Sequence, residues 1–189
     1  VVSNSISDEL RNNFNIAKDK IIVIENGLNL KLKNSKSNKL DFLLKKYQYI
    51  LCVNIFEKRK NLIRLIKAFS IVHKSNKDLK LIIIGKKADD FNNVLNQINS
   101  LNLNKNIHLL LNVTNNEIES YYKNSKLFVS SSIYEGFGIP LIEATYFNLN
   151  VLCSDIKIYR EIGDGYFNYF DPLSEKDISE KIISMINDE

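Results

Sequence analysis

Two glycines separated by one residue stand just before a proline in the segment Glu135-Gly136-Phe137-Gly138-Ile139-Pro140. Pro is favoured at the first position of a helix, so the segment is predicted to be a loop that leads into a helix. Glycines there leave backbone N–H groups unobstructed, and such groups at a helix N-terminus bind anions. The loop is therefore a candidate phosphate or pyrophosphate site, although a tight strand-to-helix turn would need the same glycines.

A lysine from another part of the chain favours the anion interpretation. Lys60 follows a short apolar run that ends at Val53, and the Gly136–Gly138 loop follows a second such run, Leu127–Ser131. If both runs are neighbouring strands of one sheet, Lys60 reaches the loop from the opposite side of a crevice. Taken alone, Lys60 would be a solvated surface charge.

Two glutamates, Glu135 and Glu143, have seven residues between them. Glu143 is predicted in the first turn of the helix, where the helix dipole stabilises a carboxylate by about 0.3–1 kcal/mol and explains its presence. Glu135 has no such explanation. A carboxylate beside a phosphate-binding loop is unfavourable unless it accepts hydrogen bonds from hydroxyl groups, which a sugar supplies. The loop therefore predicts a ligand with both phosphate and hydroxyl groups.

The elements that must position these residues alternate between strand and helix after Tyr47. Short, continuously apolar segments are predicted as strands at 49–53, 79–84, 107–111, 127–131, 151–154 and 166–170. Amphipathic segments between and after them are predicted as helices at 62–74, 91–101, 117–123, 140–147 and 176–186. This alternation predicts the α/β class, with a doubly wound, Rossmann-like parallel sheet covered by helices on both faces.

In such a sheet, ligands bind beyond the carboxyl ends of the strands, where the strand order reverses. For the common order 3-2-1-4-5-6, that position lies between the first and fourth strands. The segments that follow those two strands are 55–61 and 132–140, which hold Lys60 and the glycine loop. The fold prediction therefore brings the candidate residues together.

Residues 1–46 differ from the alternating part of the chain. Ser and Asp caps followed by Ile6, Leu10 and Phe14 predict a short helix over 3–16, and Ile21–Ile24 predicts a strand. Residues 29–46 are rich in Lys, Asn and Ser, which favours a solvated basic linker. Peripheral contact of that stretch with an anionic membrane surface is the alternative.

Composition restricts the function further. The 189 residues carry 26 Lys and Arg against 22 Asp and Glu, mostly as Lys, which provides point charges rather than the forks that read bases, so no nucleic acid partner is predicted. No run approaches the ~18 apolar residues that a membrane span needs. Cys52 and Cys153 each lie in an apolar run, which suits buried thiols in a reducing, cytoplasmic compartment.

Here the sequence resembles a known family. Glu135 to Ala144 resembles the Glu-x7-Glu signature of retaining GT-B glycosyltransferases of the group 1, or family 4, type. Other segments resemble motifs of that family in the same order along the chain: Ser3-Asn4-Ser5, Ile24-Glu25-Asn26-Gly27, Arg59-Lys60-Asn61-Leu62, Glu161-Ile162-Gly163-Asp164 and Phe170-Asp171-Pro172. The resemblance covers nearly the whole chain.

The resemblance implies a role for each matching residue. Lys60 would contact the diphosphate of a nucleotide-diphosphate sugar, and Arg59 would accompany it or point to solvent. The amides of Gly136, Phe137, Gly138 and Ile139 would hold diphosphate and sugar. Glu135 would contact the sugar hydroxyls as the catalytic-site carboxylate, and Glu143 would contact the ribose. No metal or other cofactor is implied.

The resemblance also implies a domain organisation and a reaction. Residues 1–46 would be the end of an acceptor-binding N-terminal domain plus the linker, and 47–189 the donor-binding domain. The complete enzyme would transfer a sugar to a growing cell-surface glycan or lipid, in the cytoplasm or at the inner face of the membrane. Because the chain starts with Val and has room for one domain, we expect a fragment that binds donor weakly and transfers no sugar by itself.

Two departures from the family pattern, at Asn54 and at Asn148-Leu149-Asn150, replace usual glycines, and we expect positive φ at Asn54 and Asn148. A dinucleotide-binding domain is excluded because the first strand is not followed by Gly-x-Gly-x-x-Gly. A hydrolase built on the glutamate pair would leave the loop and Lys60 without a purpose. A non-catalytic nucleotide-sugar sensor or scaffold remains the alternative.

Overall fold

The computed structural model describes residues 1–28 and 47–187. Six strands form one parallel sheet in the order β3-β2-β1-β4-β5-β6: β1 Tyr49–Ile55, β2 Lys80–Lys86, β3 Ile107–Leu111, β4 Leu127–Ser130, β5 Val151–Ser154 and β6 Asn168–Phe170. This confirms the predicted α/β class and strand order. The order reverses between β1 and β4, so the predicted crevice lies at their carboxyl ends.

Seven α-helices lie in the described part of the chain: α1 Asn4–Phe14, α2 Leu62–Ser75, α3 Phe91–Ser100, α4 Asn115–Asn124, α5 Ile139–Tyr146, α6 Lys157–Gly163 and α7 Glu175–Asn187. Short 3₁₀ turns occupy Lys18–Lys20 and Lys58–Lys60. None of the helices in these described ranges is long and apolar enough to cross a membrane.

Side chains alternate between the two faces of the sheet and build two hydrophobic cores. Ile50 and Cys52 of β1 face α2, α3 and α7, whereas Tyr49 and Leu51 face α4, α5 and α6. Both faces of the central strands are therefore buried, which explains why those strands are apolar throughout. Cys52 and Cys153 are free and buried, as predicted.

Two sequence-based assignments were wrong. Residues 21–24, predicted as a strand, form none, and Ile22 and Ile24 are 73% and 70% exposed. Among the described residues, Ile21 N donates to Lys18 O, Val1 N donates to Ile22 O, and Ile24 N donates to Val1 O. These partners are not part of a strand, so no ladder forms. Helix α6 was not predicted, because seven residues are too few to show helical periodicity.

The N-terminal helix begins and ends close to its prediction, since Ser3 caps it by accepting from Ile6 N. It packs on α6, where the Glu161 carboxylate accepts from the amides of Asn4 and Ser5 at 2.7 and 2.8 Å. The division of the chain at residue 46 stays a prediction, because the predicted basic linker, 29–46, lies outside the described residues.

Candidate functional site

The loops after β1 and β4 meet at the carboxyl ends of those strands, where ligands of this fold bind. Ile133 N donates to Arg59 O at 2.8 Å, and the Ser131 hydroxyl donates to Lys60 O at 2.8 Å. Two segments more than seventy residues apart in the sequence are thereby fixed side by side. The crevice predicted from the strand order is confirmed.

Glu135 lies at the centre of this junction and accepts hydrogen bonds on both oxygens. Oε2 accepts from Arg59 Nη1 at 2.7 Å, while Oε1 accepts from Lys60 Nζ and from the Ser132 hydroxyl at 2.8 Å. The Tyr159 hydroxyl lies 3.4 Å from the same Oε1. The structure thus supplies partners for a carboxylate that has no explanation in the sequence.

The charges of the ion-paired groups around Glu135 balance. Arg59 also pairs with Glu57 through Nε at 2.7 Å, so two cations face two carboxylates. Burial by itself would raise the pKa of Glu135, but the hydrogen bond and charge of Lys60, with help from Ser132 and Arg59, lower the pKa below its usual value. Because this pKa is lowered, Glu135 is ionised at neutral pH. Lys60 is buried, with 8% of its surface exposed, so its ion pair with Glu135 is shielded from solvent.

The glycine loop joins β4 to α5. Gly138 has φ +122°, a value that favours glycine, and a Cβ there would come within 3.0 Å of Tyr159 and Ile162. Within the described ranges, the amides of the four loop residues Gly136, Phe137, Gly138 and Ile139 donate to no acceptor of the chain. These amides precede or begin α5, so they have the arrangement expected of an anion site.

Glu143 lies in the second turn of α5, which begins at Ile139, and not in the first turn where it was predicted. The helix dipole falls off within the first turn and so does not explain this residue. Its Oε2 accepts a hydrogen bond from the Tyr122 hydroxyl of α4 at 2.8 Å. Burial raises the pKa of Glu143 above its usual value, and the hydrogen bond from Tyr122 offsets only part of that rise.

A pocket of about 370 Å³ opens beside Lys60 at the carboxyl ends of β1, β2 and β3. Most of its lining was not predicted from the sequence, because the segment after β3 carries no charge or glycine motif. Its walls are Val53, Asn54, Ile55, Lys60, Ile84, Gly85, Lys86, Asn112, Val113, Asn115, Ile118 and Pro140. The volume suits a small molecule, and Lys60 connects the pocket to the Glu135 cluster.

The N-terminal segment and the other motif-like segments make hydrogen bonds to the two loops that follow β1 and β4. Ser3 Oγ donates to Gly136 O at 3.0 Å, and the Tyr134 hydroxyl donates to Glu9 at 2.9 Å, so residues before the sheet hold the glycine loop. Asn61 Nδ2 donates to Pro172 O at 2.8 Å. The Arg-Lys-Asn-Leu and Asp-Pro segments are therefore in contact.

One of the two backbone expectations holds. Asn148 has φ +56°, the left-handed conformation predicted for a residue in place of glycine. Asn54 lies inside β1, paired with Gly85 of β2, and its φ is not positive. The turn begins after Asn54, so a left-handed residue is not needed there.

No three His, Cys, Asp or Glu side chains approach one another as a metal site would require, within the described residues. The prediction that no metal is needed is not tested by this geometry and stays a prediction.

Comparison with known proteins gives consistent matches. The family model described as glycosyl transferases group 1 matches residues 34–189. The O-antigen chain mannosyltransferase RfbU of Salmonella typhimurium is 32% identical over 177 residues, which are 93% of this chain and 47% of that protein. The chain spans about half the length of the curated relatives that it matches most fully.

Solved structures match the fold. A glycosyltransferase from Rickettsia africae has a TM-score of 0.81 at 25% identity, over 97% of this chain and 52% of that chain. The C-terminal domain of a glycosyl transferase group 1 family protein, LpcC, from Francisella tularensis has a TM-score of 0.68 at 24% identity, over 82% of this chain and 84% of that domain.

Proposed function

Because this chain belongs to the group 1 glycosyltransferase family, we propose that its crevice binds the nucleotide-diphosphate sugar donor of a retaining glycosyltransferase. The observation that carries the proposal is the juxtaposition of Lys60, Glu135 and the unbonded amides of the glycine loop at the carboxyl ends of β1 and β4, with the second carboxylate, Glu143, in the helix that follows. This set offers donors to a diphosphate and acceptors to sugar and ribose hydroxyls.

The paired charges define how such a ligand binds. Lys60 and Arg59 are already engaged by carboxylates, so a diphosphate has to share these cations with Glu135. Sugar hydroxyls that donate to Glu135 compensate that carboxylate when the cations turn to the phosphate oxygens. A ligand with both groups is therefore favoured over a bare nucleoside diphosphate or a bare sugar.

In the complete protein, the reaction is a transfer with retention at the anomeric carbon. The bond between that carbon and the diphosphate oxygen breaks, and the acceptor oxygen bonds to the same face of the sugar. The acceptor proton passes to the leaving diphosphate. Lys60 and the loop amides stabilise the negative charge that develops on the leaving group, and Glu135 orients the sugar.

The acceptor is proposed by class only, as a growing cell-surface glycan or a lipid-linked sugar. Support comes from the names of relatives, such as the O-antigen chain mannosyltransferase of Salmonella typhimurium. Since nucleotide sugars are cytoplasmic substrates in this scheme, we place the protein in the cytoplasm, with lipid-linked acceptors bringing it to the inner face of the membrane.

Ligand-induced stabilisation tests the proposal. Thermal unfolding of the 189-residue chain is measured with UDP-glucose, UDP-N-acetylglucosamine and GDP-mannose, each at 1–10 mM, and with the free sugars as controls. A ligand at ten times its Kd adds about 1.4 kcal/mol to the free energy of unfolding. We expect stabilisation by at least one nucleotide sugar and by no free sugar. A response to none of the three would contradict donor binding.

A non-catalytic nucleotide-sugar sensor or scaffold is the second candidate, because binding alone would use the same residues. Turnover separates the two. Incubation of the longer parent protein with labelled donor and lipid-linked glycan acceptor yields labelled glycan if the protein is an enzyme. Binding without transfer would favour the sensor.

A further inference from the structure

The hydroxyl of Tyr122 is buried in the core and donates to a carboxylate, Glu143. Tyr122 has 0% exposed surface, and its hydroxyl donates to Glu143 Oε2 at 2.8 Å. A second acceptor, Pro140 O, lies farther away at 3.4 Å. A phenol has one proton to donate, so the shorter contact with the charged acceptor takes it.

Packing fixes the position of that hydroxyl. The Tyr122 ring stacks on Phe147 with centroids 5.5 Å apart and lies against Phe128 at 5.7 Å. A ring held between two others cannot change rotamer without opening the core. The Tyr122 hydroxyl is therefore a rigid reference point for the more flexible glutamate side chain.

The second oxygen of Glu143 has a different environment. Across the described ranges, Oε1 accepts from no group of the chain, and Glu143 is only partly buried. Ile118 and Pro140 line the pocket, with Tyr122 four residues after Ile118 and Glu143 three residues after Pro140. Residues at these spacings share a helix face, so Tyr122 and Glu143 each lie about one helical turn beyond a residue that lines the pocket, although neither lines it.

From these contacts we propose that Tyr122 is a positioning residue of the donor site: it fixes one oxygen of Glu143 and so leaves the other to accept a ribose hydroxyl of the nucleotide. This inference rests on the proposed function. It adds a residue on α4 that has no charge and that the sequence motifs do not include.

The charge state of the pair supports this role. Burial, together with the charge of Glu143, raises the pKa of Tyr122 well above its usual value, so the phenol stays a donor. No other titratable group near the pair takes the place of the Tyr122 hydroxyl as the donor to Glu143 among the described residues. Cys52 has a pKa of about 12 and is neutral, and Lys123 of α4 pairs with Glu119. Because the hydrogen bond from Tyr122 lowers the pKa of Glu143, loss of the hydroxyl would raise that pKa further.

The test compares Tyr122→Phe with Tyr49→Phe. Tyr49 is equally buried and its hydroxyl also donates one hydrogen bond, to Tyr121 O at 2.8 Å, but it stands at the end of β1 opposite the crevice. The probes are the nucleotide sugar that stabilises the wild-type chain most and the corresponding sugar 1-phosphate, which lacks ribose. Calorimetry gives both affinities between pH 5.5 and 8.5.

We expect Tyr122→Phe to weaken the nucleotide sugar about three- to tenfold, the value of one hydrogen bond, and to leave the sugar 1-phosphate unchanged. The loss should grow as the pH falls, because a higher Glu143 pKa protonates the carboxylate earlier. NMR titration of ¹³C-labelled glutamate in the ligand-free chain should show the Glu143 midpoint moved upward by Tyr122→Phe and unmoved by Tyr49→Phe. In a Glu143→Ala background, which has no side-chain acceptor at position 143, Tyr122→Phe should no longer change affinity.

Equal losses of affinity for both probes, or a Glu143 titration midpoint unmoved by Tyr122→Phe, would overturn the positioning role. Nucleotide-sugar binding by the wild-type chain would still uphold the proposed function in that case. Binding by no nucleotide sugar would overturn both. Circular dichroism of each variant establishes that the comparison is made between folded proteins.

Discussion

Glu135 and Glu143 lie on either side of the glycine loop in the sequence, one before it and one in the helix that follows, but their surroundings differ in almost every respect. Glu135 accepts from two cations and a serine, and its pKa is lowered although burial acts in the opposite direction. Glu143 accepts from one neutral phenol, and burial raises its pKa. The chain therefore stabilises one carboxylate as an ion before a ligand binds, and leaves the other with too few hydrogen-bond donors until a ligand supplies hydroxyl groups.

The two environments predict opposite contributions to stability. A group whose pKa is lowered on folding adds stability above its unfolded pKa, and that stability is lost as the pH falls through the folded pKa. A carboxyl group whose pKa is raised on folding adds stability only at low pH, and that stability is lost as the pH rises through the folded pKa. Glu135 therefore stabilises the fold at neutral pH, whereas Glu143 costs stability there.

The largest effect is expected from the cationic half of the crevice. Lys60→Ala removes one charge-assisted contact and should weaken nucleotide-sugar binding by about 1.5–3 kcal/mol, or roughly ten- to a hundredfold. Calorimetry measures the change. Lys58→Ala, which removes an exposed charge from the same 3₁₀ turn, is the control and should change affinity little. An unchanged affinity in Lys60→Ala would remove Lys60 from the site.

The second-largest effect is on the free energy of unfolding, when Glu135, the partner of Lys60, is changed. Glu135→Gln leaves Lys60 and Arg59 without their shared carboxylate and should lower the free energy of unfolding at pH 7 by about 1–3 kcal/mol. Urea unfolding from pH 7 to pH 3 should show the difference from wild type shrinking as the wild-type carboxylate becomes protonated. Glu57→Gln, which removes a more exposed partner of Arg59, should cost less. A pH-independent difference would mean that the charge of Glu135 is not the cause.

The smallest effect has the opposite sign. Glu143→Gln keeps an acceptor for Tyr122 but removes a half-buried charge, so it should raise the free energy of unfolding at pH 7 by less than about 1 kcal/mol, after allowance for solvent screening. The gain should vanish in acid. The same variant should weaken a nucleotide sugar more than a sugar 1-phosphate, because only the former carries ribose. Equal weakening of both would return Glu143 to a structural role.

The sequence could predict the places of these glutamates but not their partners. Local patterns indicated the glycine loop, the helix after it and the strands that end at the crevice, because turn residues and apolar runs act over a few positions. From local patterns alone, the helix dipole would account for Glu143, and nothing would account for Glu135. The structure reverses both conclusions, since Glu143 lies beyond the first turn and Glu135 has a complete set of partners.

What the sequence determined by itself is the alternation of strands and helices, the strand order expected of that alternation, and the positions of Lys60, the glycine loop and the Glu-x7-Glu spacing. Tertiary structure decided the rest. The partner of Glu143 is 21 residues away in the chain, and Arg59, one partner of Glu135, is 76 residues away. The Arg59 contact exists only after the sheet brings β1 and β4 together, and the Tyr122 contact only after α4 and α5 pack on the same face of the sheet. Burial and charge pairing, which set the two pKa shifts in opposite directions, depend on those distant contacts and leave no local pattern in the sequence.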